Sequence, residues 1–220
     1  MHKLFYLLAI ALIFGTSVAC TDQLSGGQAN SNPPTTSPTS TPTPQPRPLT
    51  IADTISVEGE KQKITLNLYD QKGLPFTTYV PANRFIDQTV SSGEGTAVWF
   101  YALQPDSTPN KDVYVQFFFP SEVLTLEEAK EKLLESNGLF ATNQWQVINR
   151  SQVQEDLYPW AKEKIIFQQK GEGDRSIVGV VFIGEYNGKA FWAVQHYPVE
   201  FGDGFEPLAG KILSNLQLRS

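Results

Sequence analysis

Residues 33–48 read PPTTSPTSTPTPQPRP, and this run limits what the rest of the chain can build. From Thr21 to Pro48 there is no aromatic residue, and only Asp22 and Arg47 are charged. Such a segment cannot bury enough apolar surface to offset the entropy of ordering it, so a disordered or polyproline II tether is expected. At ~3.1 Å per residue, its 28 residues reach at most roughly 90 Å. A folded core must therefore come from Leu49 onward, which is one domain by length. Cys20 is the only cysteine, so no disulfide within the chain can staple that domain.

Ahead of the tether, Met1-His2-Lys3 is basic, Leu4 to Phe14 is almost unbroken apolar sequence, and Ser17-Val18-Ala19 precedes Cys20. A transmembrane helix needs about 20 apolar residues, and Gly15, Thr16 and Ser17 interrupt the run before that. An ordinary secretory leader would leave Cys20 as a lone thiol, which calls for an explanation. The leader resembles the lipobox of bacterial lipoproteins. That resemblance implies cleavage before Cys20, a lipid on its thiol, an acyl group on its amine, and an extracytoplasmic protein anchored to a bacterial membrane. Three segments are expected: a signal peptide over 1–19, the lipidated cysteine and linker over 20–48, and a single domain over 49–220.

Within the domain, Lys63 to Tyr69 alternates apolar and polar residues as a half-buried strand does. Phe76 to Val80 follows a turn at Gln71-Lys72-Gly73. Thr96–Leu103 and Asp112–Phe119 carry large apolar groups at both parities, the pattern of strands buried on two faces. Ser176–Tyr186 and Lys189–Tyr197 flank Asn187-Gly188, a strong hairpin signal. Thr125-Leu126-Glu127-Glu128 is a capping box. Leu126, Ala129, Leu133 and Leu134 continue it on one face, and Gly138 is a suitable stop. A second helix is expected from Phe205 to Asn215, started by Asp203 and Glu206, with Leu208, Ile212, Leu213 and Leu216 as its stripe. The fold class expected is α+β: an antiparallel sheet covered by helices on both faces.

The order of these elements resembles the PsbP-like superfamily, which includes extrinsic photosystem proteins and DcrB-type envelope lipoproteins. The residues that carry the likeness are Phe76-Thr77-Thr78-Tyr79-Val80-Pro81, the capped helix at Thr125–Ala129, the strand Ala190–Tyr197 and the closing helix Phe205–Gln217. The resemblance implies an α/β/α sandwich and a binding or assembly role without a common catalytic site.

Residue chemistry points the same way. The net charge of −6 is scattered, with no basic cluster, which argues against nucleic acid. His196 is the only histidine beyond the leader, and no G-x-S-x-G accompanies it. One histidine and no free cysteine cannot furnish a zinc site without further carboxylates. Glu155-Asp156 and Asp203/Glu206 lack calcium-loop spacing, and Gly171-Glu172-Gly173-Asp174 lacks the Lys-Ser of a phosphate loop. No cofactor or metal is expected.

Aromatic side chains remain. Trp99 and Trp192 lie in predicted strands and read as core. Trp160, Tyr197, Phe201 and Phe205 lie in less regular or Gly-rich sequence, where binding residues tend to sit, and form the expected binding patch. The expected function is a non-catalytic, membrane-anchored interaction or assembly factor with an envelope protein as partner. The alternative is a module for cell-wall glycan or a small ligand, using exposed aromatics.

Overall fold

The computed structural model describes residues 46–152, 158–170 and 175–219. The leader, Cys20 and the tether up to residue 45 lie outside them, as does Glu155-Asp156. Strand follows strand at first: β1 (Thr50–Val57), β2 (Glu60–Tyr69), β3 (Phe76–Pro81), β4 (Phe85–Ser92), β5 (Gly95–Leu103) and β6 (Pro109–Pro120). Next come α1 (Leu126–Leu134) and the single turn α2 (Leu139–Thr142). Then follow β7 (Gln146–Gln152), β8 (Ala161–Lys170), β9 (Ser176–Tyr186) and β10 (Lys189–Pro198). A short 3-10 turn leads into α3 (Gly202–Ser214), and β11 (Gln217–Leu218) ends the order.

Two antiparallel sheets result. The larger has seven strands in the order β4-β5-β6-β10-β9-β8-β7, and the smaller has four in the order β1-β2-β3-β11. The β9–β10 hairpin turns at Asn187 and Gly188, both with positive φ (50° and 71°), as a two-residue type I′ turn requires.

Side chains alternate across the large sheet, apart from irregularities in β5–β6, β7–β8 and β8–β9, giving it two apolar faces. On one face Phe100, Phe117, Phe182 and Phe191 meet Phe76 of β3 and Phe205, Ala209, Ile212 and Leu213 of α3. On the other, Ile165, Phe167, Val181, Ile183, Trp192 and Val194 meet Ala129, Leu133, Phe140 and Trp145.

The expected α/β/α sandwich does not form. Of the described residues, 56 % are strand and 18 % helix. One face is covered by the second sheet together with α3, rather than by helices alone. The other face receives only α1 and α2, and geometry limits what these cover. Seven strands at about 4.8 Å span roughly 29 Å, whereas a nine-residue helix is about 13 Å long and 10 Å wide. The cover sits over β8, β9 and β10 and leaves the β4–β5–β6 side of that face open. Strands apolar at both parities are thus not all buried twice.

Local signals explain the helix ends. Thr125 Oγ1 accepts from the Glu128 amide, and the Glu128 carboxylate accepts from the Thr125 amide at 2.8 Å. The helix stops at Glu135, earlier than Gly138, and Gly138 instead opens α2. The N-cap of α3 is Phe201 without a side-chain cap, so Asp203 does not start that helix as its spacing suggests. Tertiary packing of Phe205, Ala209, Ile212 and Leu213 holds α3 in place, helped by Thr78 Oγ1 donating to the Ile212 carbonyl at 2.5 Å.

Arg47 and Pro48, by composition the end of the tether, pack on the domain. The Arg47 guanidinium donates to Thr77 Oγ1 at 2.7 Å and to the Asn215 carbonyl at 3.1 Å. It also lies 4.4 Å from the centre of the Tyr79 ring, and the Tyr79 hydroxyl donates to the Pro48 carbonyl at 2.8 Å. These contacts cover the outer side of β3.

Candidate functional site

Register places side chains on the partly open face in rows across β5, β6 and β10: Tyr101–Tyr114–His196, Trp99–Gln116–Val194 and Ala97–Phe118–Trp192. On the neighbouring edge strand, Ile86 pairs with Tyr101, Gln88 with Trp99 and Val90 with Ala97. The first row is closed off. Lys111 lies 3.8 Å from the centre of the Tyr101 ring, Tyr101 meets Tyr114 edge-on, and Tyr114 stacks on His196. In the next two rows Val194, Ala97 and Trp192 are buried. Trp99, Gln116 and Phe118 are half-buried, and Val90 is exposed.

These rows floor a cleft of about 810 Å³ between the sheet and the helical cover. Val90, Trp99, Gln116, Phe118 and Trp192 form the floor, and Leu133, Asn137 and Leu139 contribute to the helical wall. Phe118 and Trp192 stack with centroids 4.6 Å apart and 26° between planes. Glu94, Glu122, Lys132 and Glu135 stand at the rim. Lys132 donates to Glu122 at 2.8 Å, and this bond holds its ammonium above the ordinary lysine range. The rim is therefore acidic on balance.

Among the described residues, no fully buried side-chain nitrogen or oxygen lacks a hydrogen-bond partner. Among them the indole N–H of Trp192 has no hydrogen-bond partner. Trp145 and Trp160 differ: their N–H groups donate to Gln169 Oε1 at 3.1 Å and to the Leu213 carbonyl at 2.9 Å.

The patch expected from sequence does not assemble. Trp160, Tyr197 and Phe205 are only 8 %, 7 % and 4 % exposed and belong to the core, whereas Phe201 is 40 % exposed. Trp160 packs among Phe117, Tyr158, Phe182 and Phe191. The Tyr197 hydroxyl donates to Glu206, and burial together with that carboxylate pushes its pKa up. Irregular flanking sequence hid the fact that Ala161–Lys170 is a strand whose start buries Trp160.

His196 is buried, its Nδ1 2.9 Å from the Asp112 carbonyl oxygen. It lies among Tyr114, Trp145 and Phe167 rather than beside a nucleophile. Among the described residues, no group of three or more His, Cys, Asp or Glu is placed to hold a metal ion. None of their helices is long and apolar enough to cross a membrane.

Trp99, Gln116 and Phe118 are the site residues that sequence reasoning missed. Their signal was present but ambiguous, because aromatic groups at both parities read equally as double burial. Comparing the width of the sheet with the short length of predicted helix would have shown that part of one face must stay open. The chain matches no protein-family model, and no curated protein matches it.

Proposed function

We propose that this chain is a non-catalytic binding protein of the cell envelope. A lipid on Cys20 holds it to a bacterial membrane, and it takes a small ligand or glycan into the cleft beside α1. The observation that carries this reading is the half-buried aromatic pair Trp99 and Phe118 on the floor of a cleft of about 810 Å³, a volume typical of ligand sites. Size favours this reading over an assembly factor. Two rows on three strands span roughly 200 Å², whereas a stable protein interface needs about 800 Å² on each partner. The lipobox motif supports the anchoring.

Two experiments test this. Full-length protein, purified from membranes in mild detergent, should retain a small molecule detectable by native mass spectrometry, and Trp99→Ala should lose it. A near-stoichiometric envelope protein crosslinked in intact cells, unaffected by Trp99→Ala, would restore the assembly-factor reading. For the anchor, Cys20→Ser should move the protein out of the detergent phase, and unchanged partitioning would refute lipidation.

A further inference from the structure

We infer, on the strength of that binding role, that the ligand is a short uncharged saccharide lying across β5 and β6. The spacing of the half-buried rings supports this. Trp99 on β5 and Phe118 on β6 are half-buried and stand one strand and one row apart, about 8 Å from strand spacing and rise, while Trp192, buried against Phe118, backs them. The C–H face of a pyranose stacks on an aromatic ring, and its equatorial hydroxyls then point sideways.

Groups able to meet those hydroxyls are in place. Gln116 stands directly opposite Trp99 in register. Among the described residues, neither its carboxamide nor that of Asn137 has a side-chain hydrogen-bond partner. Nor do the indole N–H groups of Trp99 and Trp192 or the carboxylates of Glu94 and Glu135. A purely apolar ligand would leave these groups desolvated without compensation.

Charge narrows the class further. Glu94, Glu122 and Glu135 line the cleft with a single cation, Lys132, and Glu122 already occupies it at 2.8 Å. An anionic glycan or a phosphorylated ligand would meet net negative potential with no unpaired cation to receive it.

The test is titration calorimetry on the full-length protein in detergent micelles. The probes are cellotetraose and chitotetraose as neutral oligosaccharides of different sugar type, and tetragalacturonate as the anionic one. At least one neutral probe should bind, with tetragalacturonate at least tenfold weaker. Trp99→Phe should weaken binding several-fold and Gln116→Leu about tenfold, each with an unchanged unfolding midpoint. Preference for cellotetraose or chitotetraose would distinguish a plain hexose from an N-acetylated wall sugar. Tetragalacturonate binding as tightly as the neutral probes would overturn the inference. So would binding of neither neutral probe by protein that still retains a Trp99-dependent small molecule, and the broader binding role would then stand. Absence of saccharide binding and of any retained molecule would remove both.

Discussion

The rings of Tyr114 and His196, on neighbouring strands, lie 4.7 Å apart and within 12° of parallel. The imidazole is sealed under that ring and its Nδ1–H donates to the Asp112 carbonyl, so the neutral tautomer with Nε2 unprotonated fits the site. Burial lowers its pKa below the ordinary 6.5, while the bond to the Asp112 carbonyl and the Asp112 charge act more weakly in the opposite direction.

The sign of the resulting pH dependence follows. Just below the ordinary histidine pKa, the unfolded chain binds a proton at His196 that the folded chain resists. The stability His196 contributes is complete above that value and is lost as pH falls toward the folded pKa. Urea midpoints should therefore be flat above about pH 7.5 and decline from about pH 7 to pH 5, before carboxylates begin to titrate. His196→Gln should flatten the decline, and an identical slope in both proteins would exclude this histidine as its source.

A close approach makes the second case. A Cβ at Gly179 would run into the Gln195 carbonyl and the Phe167 ring, neither of which can withdraw without disturbing the sheet. Gly179→Ala should destabilise by about 1–3 kcal/mol, the usual cost of overpacking. Chemical denaturation measures it, and a neutral result would mean that Phe167 can repack.

Two tryptophans should part company. Trp160→Ala removes a buried ring and its hydrogen bond to Leu213, at about 3–5 kcal/mol, much of the stability of a typical domain. Trp99→Ala, half-buried beside the cleft, should cost less, about 1–2 kcal/mol. Thermal melts of the two variants side by side decide it, and similar losses would contradict the placement of Trp99 at an open cleft.

Arg47 is the fourth test. Arg47→Ala gives up two hydrogen bonds and a cation–π contact, for about 1–2 kcal/mol in total. Limited proteolysis should then cut between Pro48 and Thr50 faster than in the parent protein. Unchanged cleavage would mean that Pro48 and Leu49 hold the segment without it.

What could be read from sequence depended on how local each signal was. The Asn187-Gly188 hairpin and the Thr125–Glu128 capping box involve residues within a few positions of each other, and both took the expected form. Strands β4 and β7 went unread because they are edge strands whose residues are mostly exposed, so no apolar alternation marks them. Trp160 and Trp99 were assigned the wrong way round for a related reason. Burial there is decided by elements far along the chain: α3 comes down on Trp160, whereas Trp99 stays half-buried beside the cleft. Periodicity shows which side chains share a face, but not whether anything covers that face.

The chain enters the domain behind β3, at Thr77 and Tyr79, whereas the cleft opens on the opposite side of the seven-stranded sheet. Tension arriving through residue 47 is taken up by an arginine, a threonine hydroxyl and the carbonyl after α3, with a whole sheet between them and the floor of the cleft. A pull applied at residue 47 would reach the cleft only through that sheet, so a load on the back of the domain and the shape of its front are mechanically separate.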